Sequence, residues 1–390
     1  MPDRYLFLIN SLAQGGAERS LVEMLGPLRD SGVEPVVVCL QRSAVGFEDE
    51  VDCSGFDLRF LSARRLPGRV VEMRRLIREL EPALVHTTLF DSDLVGRLAA
   101  AGLRTPVVTT LANTTYEKER IEGDANLSKW KVEIVRFVDG MTARHLTDHF
   151  HAVSHAVKES SVRALGIEPD LVTVVHRGRD IGRLGSRDEA RRAQVRAGLG
   201  IGDDVFLVLN VGRHEFQKNQ VGLIRALRVV AAEHAHVRLL IAGREGNATE
   251  ALESEIVSEQ MDSKVTLLGH RSDIPDLLAA ADLFVFPSLW EGLGGAVLEA
   301  LGAGIPIVAS DLPAIREVLV DGGNGILVEP GDVPALAAAV ERMITDSEMR
   351  DALVGNNRDR FIEMFGIEEA SRGMLRLFQS VNSGDISIQQ

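Results

Sequence analysis

The sequence predicts an α/β protein made of two doubly wound domains that face each other across a cleft. Short apolar runs alternate with amphipathic helical stretches along the whole chain, which is typical of parallel sheets covered by helices on both faces. The apolar runs fall into two successive series, so two such sheets are expected. The length of 390 residues is long for one domain and fits two of about 190 residues.

The first series of strands is predicted from short β-rich runs that polar or glycine-containing segments separate. Helices are predicted at Glu18–Arg29 and Val70–Leu80, where apolar residues recur at the helical period. The strands are predicted at Tyr5–Ile9, Pro35–Leu40, Leu84–His86, Pro106–Leu111, His149–Val153 and Val172–Val175.

The domain boundary is predicted where this periodicity stops. The segment His176–Gly185 has no apolar periodicity, and a charged helix at Arg187–Ala197 follows it. We therefore expect a hinge near residue 178, with domains at 1–178 and 179–365. The tail is predicted to be helical from Phe361 to about Val381, and the last residues, Ser383–Gln390, are expected to fray.

The second series repeats the alternation of strands and helices. Its helices are predicted at Asn219–Ala232, Ala296–Leu301 and Val333–Ile344. Its strands are predicted at Val205–Val211, Val237–Ile241, Val265–Leu268, Leu283–Phe286, Ile307–Ala309 and Gly325–Leu327. In doubly wound folds ligands bind beyond the carboxyl ends of the strands. With two such domains, the site is expected in the cleft between them.

The composition limits the class of partner and the compartment. With 43 basic and 57 acidic residues the net charge is −14, which argues against a nucleic-acid partner. Cys39 and Cys53 have no metal-ligand spacing, so a structural zinc site is excluded and a reducing cytoplasm is expected. No apolar run reaches the roughly 18 residues that a membrane span needs, and no signal sequence is expected.

The segment from Glu291 to Glu299 carries the strongest functional signal. It follows the apolar run Leu283–Trp290 and is a glycine turn that opens a helix. Amides at a helix start suit a diphosphate, and Gly294 and Gly295 let a ligand approach the backbone closely. Glu299 could accept hydrogen bonds from ribose hydroxyls, so the arrangement suggests a nucleotide-sugar site. The alternative is a helix start whose acidic residues merely favour the helix dipole.

Two cations flank the loop that follows the predicted strand Val205–Val211. Arg213 and Lys218 precede the helix that is predicted from Asn219. At the carboxyl end of a strand, fixed cations could neutralise a leaving diphosphate without a metal, because such groups act most strongly on charge that develops in a dry site. Solvated loop cations are the alternative.

Two other segments of the first domain are candidate ligand sites. Gly15 and Gly16 follow the first strand, and their amides could approach phosphate or sugar oxygens. A tight turn without a ligand is the alternative, because the spacing fits neither a dinucleotide fingerprint nor a P-loop. Asp91 and Asp93 could hold a divalent metal, but Asp91 is interpreted as a helix N-cap and no metal site is predicted.

The first domain also contains two candidate contact surfaces. Tyr116 and Trp130 stand in a polar stretch and are interpreted either as a mobile acceptor lid or as packing residues. Arginines cluster around the helix Val70–Leu80, whose apolar residues share one face. They indicate either a core-facing helix with a solvated side, or peripheral attachment to anionic lipid on the inner face of the membrane. The arginines are Arg64, Arg65, Arg69, Arg74, Arg75 and Arg78.

Several motifs together resemble glycosyltransferase family 4, over roughly residues 5–365. They are Gly-Gly-Ala-Glu-Arg at 15–19, Ala-Val-Ser at 152–154, Val-Gly-Arg and a following lysine at 211–218, Ile-Ala-Gly at 241–243, Gly-His-Arg-Ser-Asp-Ile at 269–274, Phe-Pro-Ser and Glu-Gly at 286–292, and Leu-Glu-Ala at 298–300. The resemblance implies a GT-B fold of two Rossmann-like domains, and metal-independent transfer that retains the anomeric configuration. It also implies that a C-terminal helix within 366–390 crosses back to the first domain.

The resemblance implies roles for individual residues. Arg213 and Lys218 would bind the donor diphosphate, and with Glu291, which would face the donor sugar, they are the implied catalytic residues. Glu299 would take the ribose hydroxyls. The other implied donor-binding positions are Gly15 and Gly16 from the first domain, Gly243, the backbone of His270 and Arg271 against the base, and the amides of Gly294 and Gly295.

One position departs from the family's pattern. Many members carry a histidine in the loop after the strand Pro106–Leu111, where this sequence has Ala112 followed by Asn113. Asn113 keeps part of an Arg-Asn variant that some members have. His86, at the end of the preceding predicted strand, could reach the acceptor side, and a capping or core role is the alternative. The departure bears on both activity and acceptor class.

Together the site residues and the resemblance predict a retaining, metal-independent glycosyltransferase without a cofactor. It would move a sugar from a UDP-, GDP- or ADP-linked nucleotide sugar to a hydroxyl of a glycan, a glycolipid or a small-molecule acceptor. The acceptor would attack from the front face, and the leaving phosphate, screened by Arg213 and Lys218, would take its proton. Two alternatives stay open: a non-catalytic nucleotide-sugar-binding or assembly protein, and a sugar-nucleotide epimerase on the same fold.

Overall fold

The computed structural model describes residues 3–117, 121, 128–185, 187–355 and 357–384. The chain divides into two compact units. Unit 1 is discontinuous: it contains the chain up to Arg179 and the C-terminal segment from Phe365. Unit 2 contains the chain between them, Asp180–Met364.

Unit 1 is a parallel seven-stranded sheet with the order β3-β2-β1-β4-β5-β6-β7, so the strand order reverses between β1 and β4. The strands are β1 (Asp3–Ile9), β2 (Val33–Cys39), β3 (Asp57–Phe60), β4 (Leu84–Thr88), β5 (Val107–Leu111), β6 (His149–Ala152) and β7 (Val172–Val174). The helices are α1 (Gly16–Asp30), α2 (Glu48–Cys53), α3 (Leu66–Leu80), α4 (Phe90–Ala100), α5 (Lys129–Leu146), α6 (His155–Leu165) and, from the end of the chain, α17 (Ile367–Ser383).

The strands at the centre of unit 1 are apolar because both faces of the sheet are buried. Alternate residues of β1 enter separate cores. Phe7 packs in one core with Leu25 of α1 and Phe378 of α17. Leu6 packs in the other core, together with Met73 of α3. A strand that is covered on both sides has no solvated face, which explains the unbroken apolar run in the sequence.

Unit 2 is a parallel six-stranded sheet with the order β10-β9-β8-β11-β12-β13. The strands are β8 (Phe206–Val211), β9 (Val237–Ala242), β10 (Val265–Gly269), β11 (Leu283–Phe286), β12 (Ile307–Ser310) and β13 (Ile326–Val328). The helices are α7 (Ile181–Leu184), α8 (Glu189–Gly198), α9 (Gln220–Glu233), α10 (Thr249–Ser258), α11 (Ile274–Ala280), α12 (Gly295–Ala303), α13 (Pro313–Arg316), α14 (Val333–Thr345), α15 (Ser347–Val354) and α16 (Asn357–Phe365).

The tail differs from the single helix that the sequence predicted. Gly366 has an extended backbone, with φ −65° and ψ 145°, and it separates α16 from α17. α17 then packs in the core of unit 1, where Met374 and Phe378 are buried. Residues 385–390 of the predicted frayed end lie outside the described residues.

The interpretation of Asp91 as a helix N-cap is wrong. The N-cap position of α4 is Leu89, at φ 79°, and no side-chain hydrogen bond caps the helix. Asp91 therefore lies inside the first turn, where it is exposed, because the helix starts earlier than its polar residues suggested. Asp93 is buried, and burial raises its pKa to about 7.

The apolar side of α3 faces the core of unit 1. Met73 and Ile77 are buried. Arg74 donates from Nη1 to the carbonyls of Ala99 at 2.8 Å and Ala101 at 2.7 Å, at the end of α4. These contacts favour the core-facing interpretation of the arginine-rich helix over membrane attachment. None of the helices among the described residues is long and apolar enough to cross a membrane.

The polar stretch of the proposed lid is only partly within the described residues, since 118–120 and 122–127 lie outside them. The hydroxyl of Tyr116 donates to Oδ2 of Asp139 at 2.8 Å. Asp139 also pairs with the buried Arg97, with 2.7 Å between Oδ1 and Nη1. The bond to this buried pair favours the packing interpretation of Tyr116 over that of a mobile lid.

Candidate active site

The carboxyl ends of β8 and β11 lie at the topological switch point of unit 2. On one side of β8 the sheet continues with β9 and β10, and beyond β11 it continues with β12 and β13. The connections on the two sides therefore run in opposite directions, which opens a crevice at this point. Doubly wound folds bind their ligands there.

The loop after β8 has a defined shape. A 3-10 turn at Phe216–Lys218 leads into Asn219, whose φ of 48° lies in a region that few non-glycine residues adopt. The buried Gln220 donates from Nε2 to Oδ1 of Asn210 at 2.9 Å. Asn210 in turn donates to the carbonyl of Val285 at 2.8 Å, so buried amides tie β8 to β11 beneath the loop.

Lys218 and Glu291 form an ion pair at the switch point. Glu291 follows β11 and is only 8% exposed, and Nζ of Lys218 lies 5.1 Å from the centre of the Phe286 ring. Gln217 joins the two loops, since its Nε2 donates to the carbonyl of Trp290 at 2.6 Å. Each charge is largely removed from water, and removing one would leave the other unpaired at high cost. The pair therefore fixes an ammonium group at this point.

The glycine turn leads directly into α12. Gly294 is the N-cap residue at φ +78°, and a Cβ added to it would lie 2.9 Å from Cδ1 of Ile315. The positive φ therefore favours glycine at this position, and a larger residue would also have to displace the Ile315 side chain. Because an N-cap glycine has no side chain to cap the first turn, the amides of Gly295 and Ala296 can receive an anion, whereas the amide of Val297 already donates to the Gly294 carbonyl at 2.8 Å.

Glu299 lies one turn inside α12 and pairs with a cation that the sequence analysis did not single out. Its Oε1 is 3.3 Å from Nη2 of Arg183, which belongs to the four-residue helix α7. The side chain of Glu299 is mostly buried. An arginine thus holds this carboxylate in place.

Arg213 does not join the ion pair of Lys218 and Glu291. Its Nη1 is 3.0 Å from Oε1 of Glu215 in the same loop, and its side chain is 56% exposed. The two cations that the sequence grouped together therefore have different partners.

Three more predicted donor-binding residues follow β9 and β10. A Cβ added to Gly243 would lie 1.8 Å from the carbonyl oxygen of Gly212, so the two loops approach more closely than a side chain permits. His270 is exposed, and partial burial lowers its pKa. Arg271 pairs with Asp273, with 2.7 Å between Nε and Oδ1. The carboxyl ends of four adjacent strands thus carry predicted site residues.

Gly15 and Gly16 occupy the switch point of unit 1, after β1. Gly15 is the N-cap of α1, and a Cβ added to it would lie 2.3 Å from the Glu18 carboxylate. A Cβ added to Gly16 would lie 3.5 Å from Nη1 of Arg177. Nη2 of Arg177 also donates to the carbonyl of Ala112 at 3.4 Å. Arg177 therefore bonds to the loop after β5 and lies beside the glycine turn.

Asn113 shapes the loop after β5 through its own side chain. Oδ1 of Asn113 accepts from the amide of Thr114 at 2.8 Å, and the Asn113 carbonyl accepts from the amide of Thr115 at 2.9 Å. Such local bonds are typical of turns that an asparagine initiates.

His86 lies inside β4, which continues two residues beyond the predicted strand end to Thr88. Its Nε2 is 2.7 Å from Oγ1 of Thr110, which is 3.1 Å from Nδ1 of His151. Nε2 of His151 is 2.8 Å from the carbonyl of Val175. Since a carbonyl only accepts, His151 donates to it, Thr110 donates to His151, and His86 donates to Thr110. This chain of hydrogen bonds is consistent with a core role for His86.

We expect the free energy of unfolding to fall as the pH drops from about 6.5 toward 5. Burial lowers the pKa of His86 to about 3 and that of His151 to about 4, so the folded protein keeps both neutral. The unfolded chain takes up protons below its ordinary pKa, which costs the folded state about 1.4 kcal/mol per pH unit for each group. Urea unfolding across this range measures the slope.

The variant His151→Gln separates these histidines from the carboxylates that also titrate on acidification. In this variant the free energy of unfolding should depend less steeply on pH, by the contribution of one proton (about 1.4 kcal/mol per pH unit), because glutamine does not titrate in this range. The variant His145→Gln, at an exposed histidine of α5, is the control and should keep the original slope. Equal slopes for the His151 variant and the original protein would contradict the expectation.

In the part of the chain that the structure describes, no three or more His, Cys, Asp or Glu side chains are grouped so that they could hold a metal ion.

Two family models match the sequence. The model described as Glycosyltransferase Family 4 matches residues 14–183. The model described as Glycosyl transferases group 1 matches residues 191–360, so the two cover most of both units. The chain belongs to glycosyltransferase family 4.

Relatives of this family 4 glycosyltransferase include enzymes that are named for the transfer of different sugars. It is 26% identical to the UDP-Gal:alpha-D-GlcNAc-diphosphoundecaprenol alpha-1,3-galactosyltransferase of Escherichia coli over 302 residues, which cover 76% of this chain and 75% of that protein. It is 35% identical to the alpha-D-kanosaminyltransferase of Streptomyces kanamyceticus over 170 residues, 43% of this chain and 44% of that protein.

Two solved structures show the same fold as this family 4 glycosyltransferase. Anabaena HepE, in complex with UDP and glucose, matches 97% of this chain and 100% of its own with a TM-score of 0.86 at 24% identity. Sucrose-phosphate synthase from Thermosynechococcus elongatus matches 98% of this chain and 100% of its own with a TM-score of 0.81 at 19% identity. They confirm the predicted α/β class of the GT-B type.

In this family 4 glycosyltransferase, two arginines that the sequence did not predict as site residues lie against predicted ones. Arg183 pairs with Glu299, and Arg177 lies beside Gly16. Both lie in the segment His176–Gly185, for which the sequence predicts only a hinge. The signal that could have identified them is the concentration of arginines in this segment, where no helix or strand is predicted.

Proposed function

We propose that this protein is a retaining, metal-independent glycosyltransferase that moves a sugar from a nucleotide-sugar donor to a hydroxyl acceptor. The observation that carries the proposal is the ion pair of Lys218 and Glu291 at the switch point of unit 2, beside the glycine turn that opens α12. A fixed cation, a carboxylate and uncapped helix amides are the groups that a sugar diphosphate requires.

The donor diphosphate binds at the start of α12 in this proposal. The amides of Gly294 and Gly295 receive its oxygens, because the turn brings no side chain that would block them. Lys218 supplies the opposite charge. Arg213 adds a second cation when its exposed guanidinium leaves Glu215. Lys218 and Arg213 together would then neutralise the charge on the departing phosphate, so that no metal ion is needed for this role.

The nucleoside extends from the diphosphate along the carboxyl ends of β8, β9 and β10. Glu299 accepts the ribose hydroxyls, and the ion pair with Arg183 orients its carboxylate. The backbone at His270 and Arg271 lies against the base, at the end of β10. Gly243 keeps the intervening loops close together.

The proposed chemistry is a front-face substitution. The acceptor hydroxyl attacks the anomeric carbon from the side on which the diphosphate leaves, so the configuration is retained. The bond from the anomeric carbon to the phosphate oxygen breaks, and the leaving phosphate takes the hydroxyl proton. Lys218 stabilises the negative charge that develops on that phosphate, while Glu291 orients Lys218 and faces the donor sugar.

The relatives guide the choice of donor and acceptor. HepE has been solved with UDP and glucose, and the Escherichia coli relative is named for UDP-Gal and a diphosphoundecaprenol acceptor. We therefore infer a UDP-sugar donor and a lipid-linked glycan as the first acceptor class to test. In unit 1, the loop that contains Asn113, with Arg177 beside it, is the inferred acceptor side.

We expect one class of nucleotide sugar to raise the thermal stability, with UDP-sugars tested before GDP- and ADP-sugars. A ligand at 100 times its dissociation constant adds about 2.7 kcal/mol to the free energy of unfolding. With that donor and a hydroxyl acceptor, turnover should continue in EDTA, and NMR of the product should show a retained anomeric centre. An inverted product, or turnover that stops in EDTA and returns with a metal, would contradict the mechanism. Binding without transfer or hydrolysis would instead support a non-catalytic nucleotide-sugar binder.

We expect Glu299→Gln to weaken donor binding by about tenfold to a hundredfold, because hydrogen bonds to a charged group contribute more than those to a neutral one. Isothermal titration with the accepted nucleotide sugar measures the change. Glu255→Gln is the matched control, since Glu255 pairs with Arg225 at 2.6 Å between two helices away from the proposed site. Equal losses in both variants would refute a ribose contact for Glu299.

A further inference from the structure

The helix α5 carries its large apolar side chains on its outer face. Trp130, Ile134, Phe137 and Met141 follow one another at spacings of four, three and four residues, which places them on one side of the helix. All four are exposed, Trp130 at 63% and Phe137 at 68%. In an ordinary surface helix, side chains at this spacing would face the core.

The inner face of α5 is made of small or paired residues. Gly140 and Ala143 are buried, and a Cβ added to Gly140 would lie 3.1 Å from the carbonyl oxygen of Leu165 at the end of α6. Asp139 is buried against Arg97. Close backbone approach and an ion pair therefore attach α5 to unit 1, and the large apolar residues are left for another contact.

The charges around this outer face are mainly positive. Lys129 and Lys131 lie on either side of Trp130, and Arg136 follows along the helix, whereas Arg144 donates to the carbonyl of Leu165. Of the two acidic residues of α5, Asp139 is buried in its pair with Arg97, and Glu133 pairs with Arg136. The helix is thus cationic in a chain whose net charge is −14.

We propose that the outer face of α5, formed by Trp130, Ile134, Phe137 and Met141, docks on an anionic lipid surface. An apolar stripe with aromatic residues between cations is what a helix in the plane of a membrane interface presents. A second copy of the chain fits less well, because a two-fold contact would place cations opposite cations. The face lies on α5 and not on the arginine-rich α3, whose apolar residues Met73 and Ile77 are buried in the core of unit 1.

Trp130 reports directly on this contact. The chain has two tryptophans, and the other, Trp290, is buried. Vesicles of equal parts phosphatidylglycerol and phosphatidylcholine should shift the Trp130 emission to the blue and protect it from acrylamide. Phosphatidylcholine vesicles alone should do so only weakly, and added salt should reduce the effect with the anionic vesicles.

The variant Phe137→Ser should bind the anionic vesicles at least about tenfold more weakly in co-sedimentation, because it removes an aromatic side chain from the lipid. Val71→Ser is the matched control, since Val71 of α3 is 71% exposed in the same unit and should bind as the original chain does. Circular dichroism confirms that both variants fold. Unchanged Trp130 emission with vesicles, or equal binding by the Phe137 variant, would overturn the proposal.

A dimer in solution that Phe137→Ser dissociates would also overturn it, in favour of a second copy on this face. The vesicle assay contains no nucleotide sugar. Its failure therefore leaves the transferase proposal intact, and failure of the transferase proposal leaves the lipid contact to be judged by its own measurement.

Discussion

Replacing Lys218 with alanine is expected to lower the transfer rate by about 100- to 1,000-fold while changing donor affinity far less. The ammonium group is held beside Glu291 at the switch point of unit 2. Negative charge on the leaving phosphate grows only as the bond to the sugar breaks, so the cation contributes most in the transition state. Initial rates give kcat, and isothermal titration gives the donor dissociation constant.

The control for this variant is Lys264→Ala. Lys264 bonds to the carbonyl of Ala235, at the amino ends of β9 and β10, so the same charge is lost far along the strands from the proposed site. Its transfer rate should match that of the original protein. A Lys218 variant whose rate and donor affinity fall by the same factor would show that Lys218 only binds the donor.

The role of Glu291 follows from combining the two substitutions. If Glu291 acts mainly by orienting Lys218, the double variant of Glu291→Gln and Lys218→Ala should be no slower than Lys218→Ala alone. A further loss in the double variant would mean that Glu291 contacts the donor sugar independently. Because the pair is largely buried, urea unfolding of each variant must accompany the kinetics.

The fold could be predicted from the sequence because the strands it depends on are buried on both faces. All the strands expected from apolar runs are present, with ends shifted by a few residues. The structure also has one strand that the sequence did not predict, β3. It lies at the edge of the sheet of unit 1, and in it Asp57 and Arg59 alternate with Leu58 and Phe60. An edge strand with a half-exposed pattern gives no apolar run, so the same reasoning could not find it.

The candidate site was predictable only where local geometry determines it. The glycine turn at Gly294 and the start of α12 follow from neighbouring residues, and the structure has both. The partners of the charged side chains depend on how distant segments fold together. No spacing in the sequence indicates that Glu299 pairs with Arg183, or that Arg213 turns to Glu215.

Surface contacts are still harder to predict from sequence. Apolar residues at helical spacing usually indicate a core-facing helix, and this holds for α3, where Met73 and Ile77 are buried. In α5 the same spacing belongs to residues that face outward, because Gly140 lets the opposite side approach the backbone of α6. Only the three-dimensional neighbours of a helix decide which of its faces is covered.

The variant Gly243→Ala should destabilise unit 2 by roughly 3 kcal/mol, the upper end of what overpacking usually costs. The added Cβ would lie 1.8 Å from the carbonyl oxygen of Gly212, which is backbone and cannot rotate away as a side chain would. The loops after β8 and β9 must then separate. Because the β8 loop carries Lys218, donor binding should weaken together with stability.

Urea unfolding, with and without the accepted nucleotide sugar, tests this expectation. Gly198→Ala is the matched control, since a Cβ added at the end of α8 meets nothing within 4 Å and alanine favours a helix. That variant should be as stable as the original chain or slightly more stable. If Gly243→Ala instead keeps the original stability and loses only donor binding, Gly243 contacts the donor directly and the loops do not depend on it. If the variant loses free energy of unfolding and donor affinity together, Gly243 acts by keeping the ends of β8 and β9 close enough to form one site.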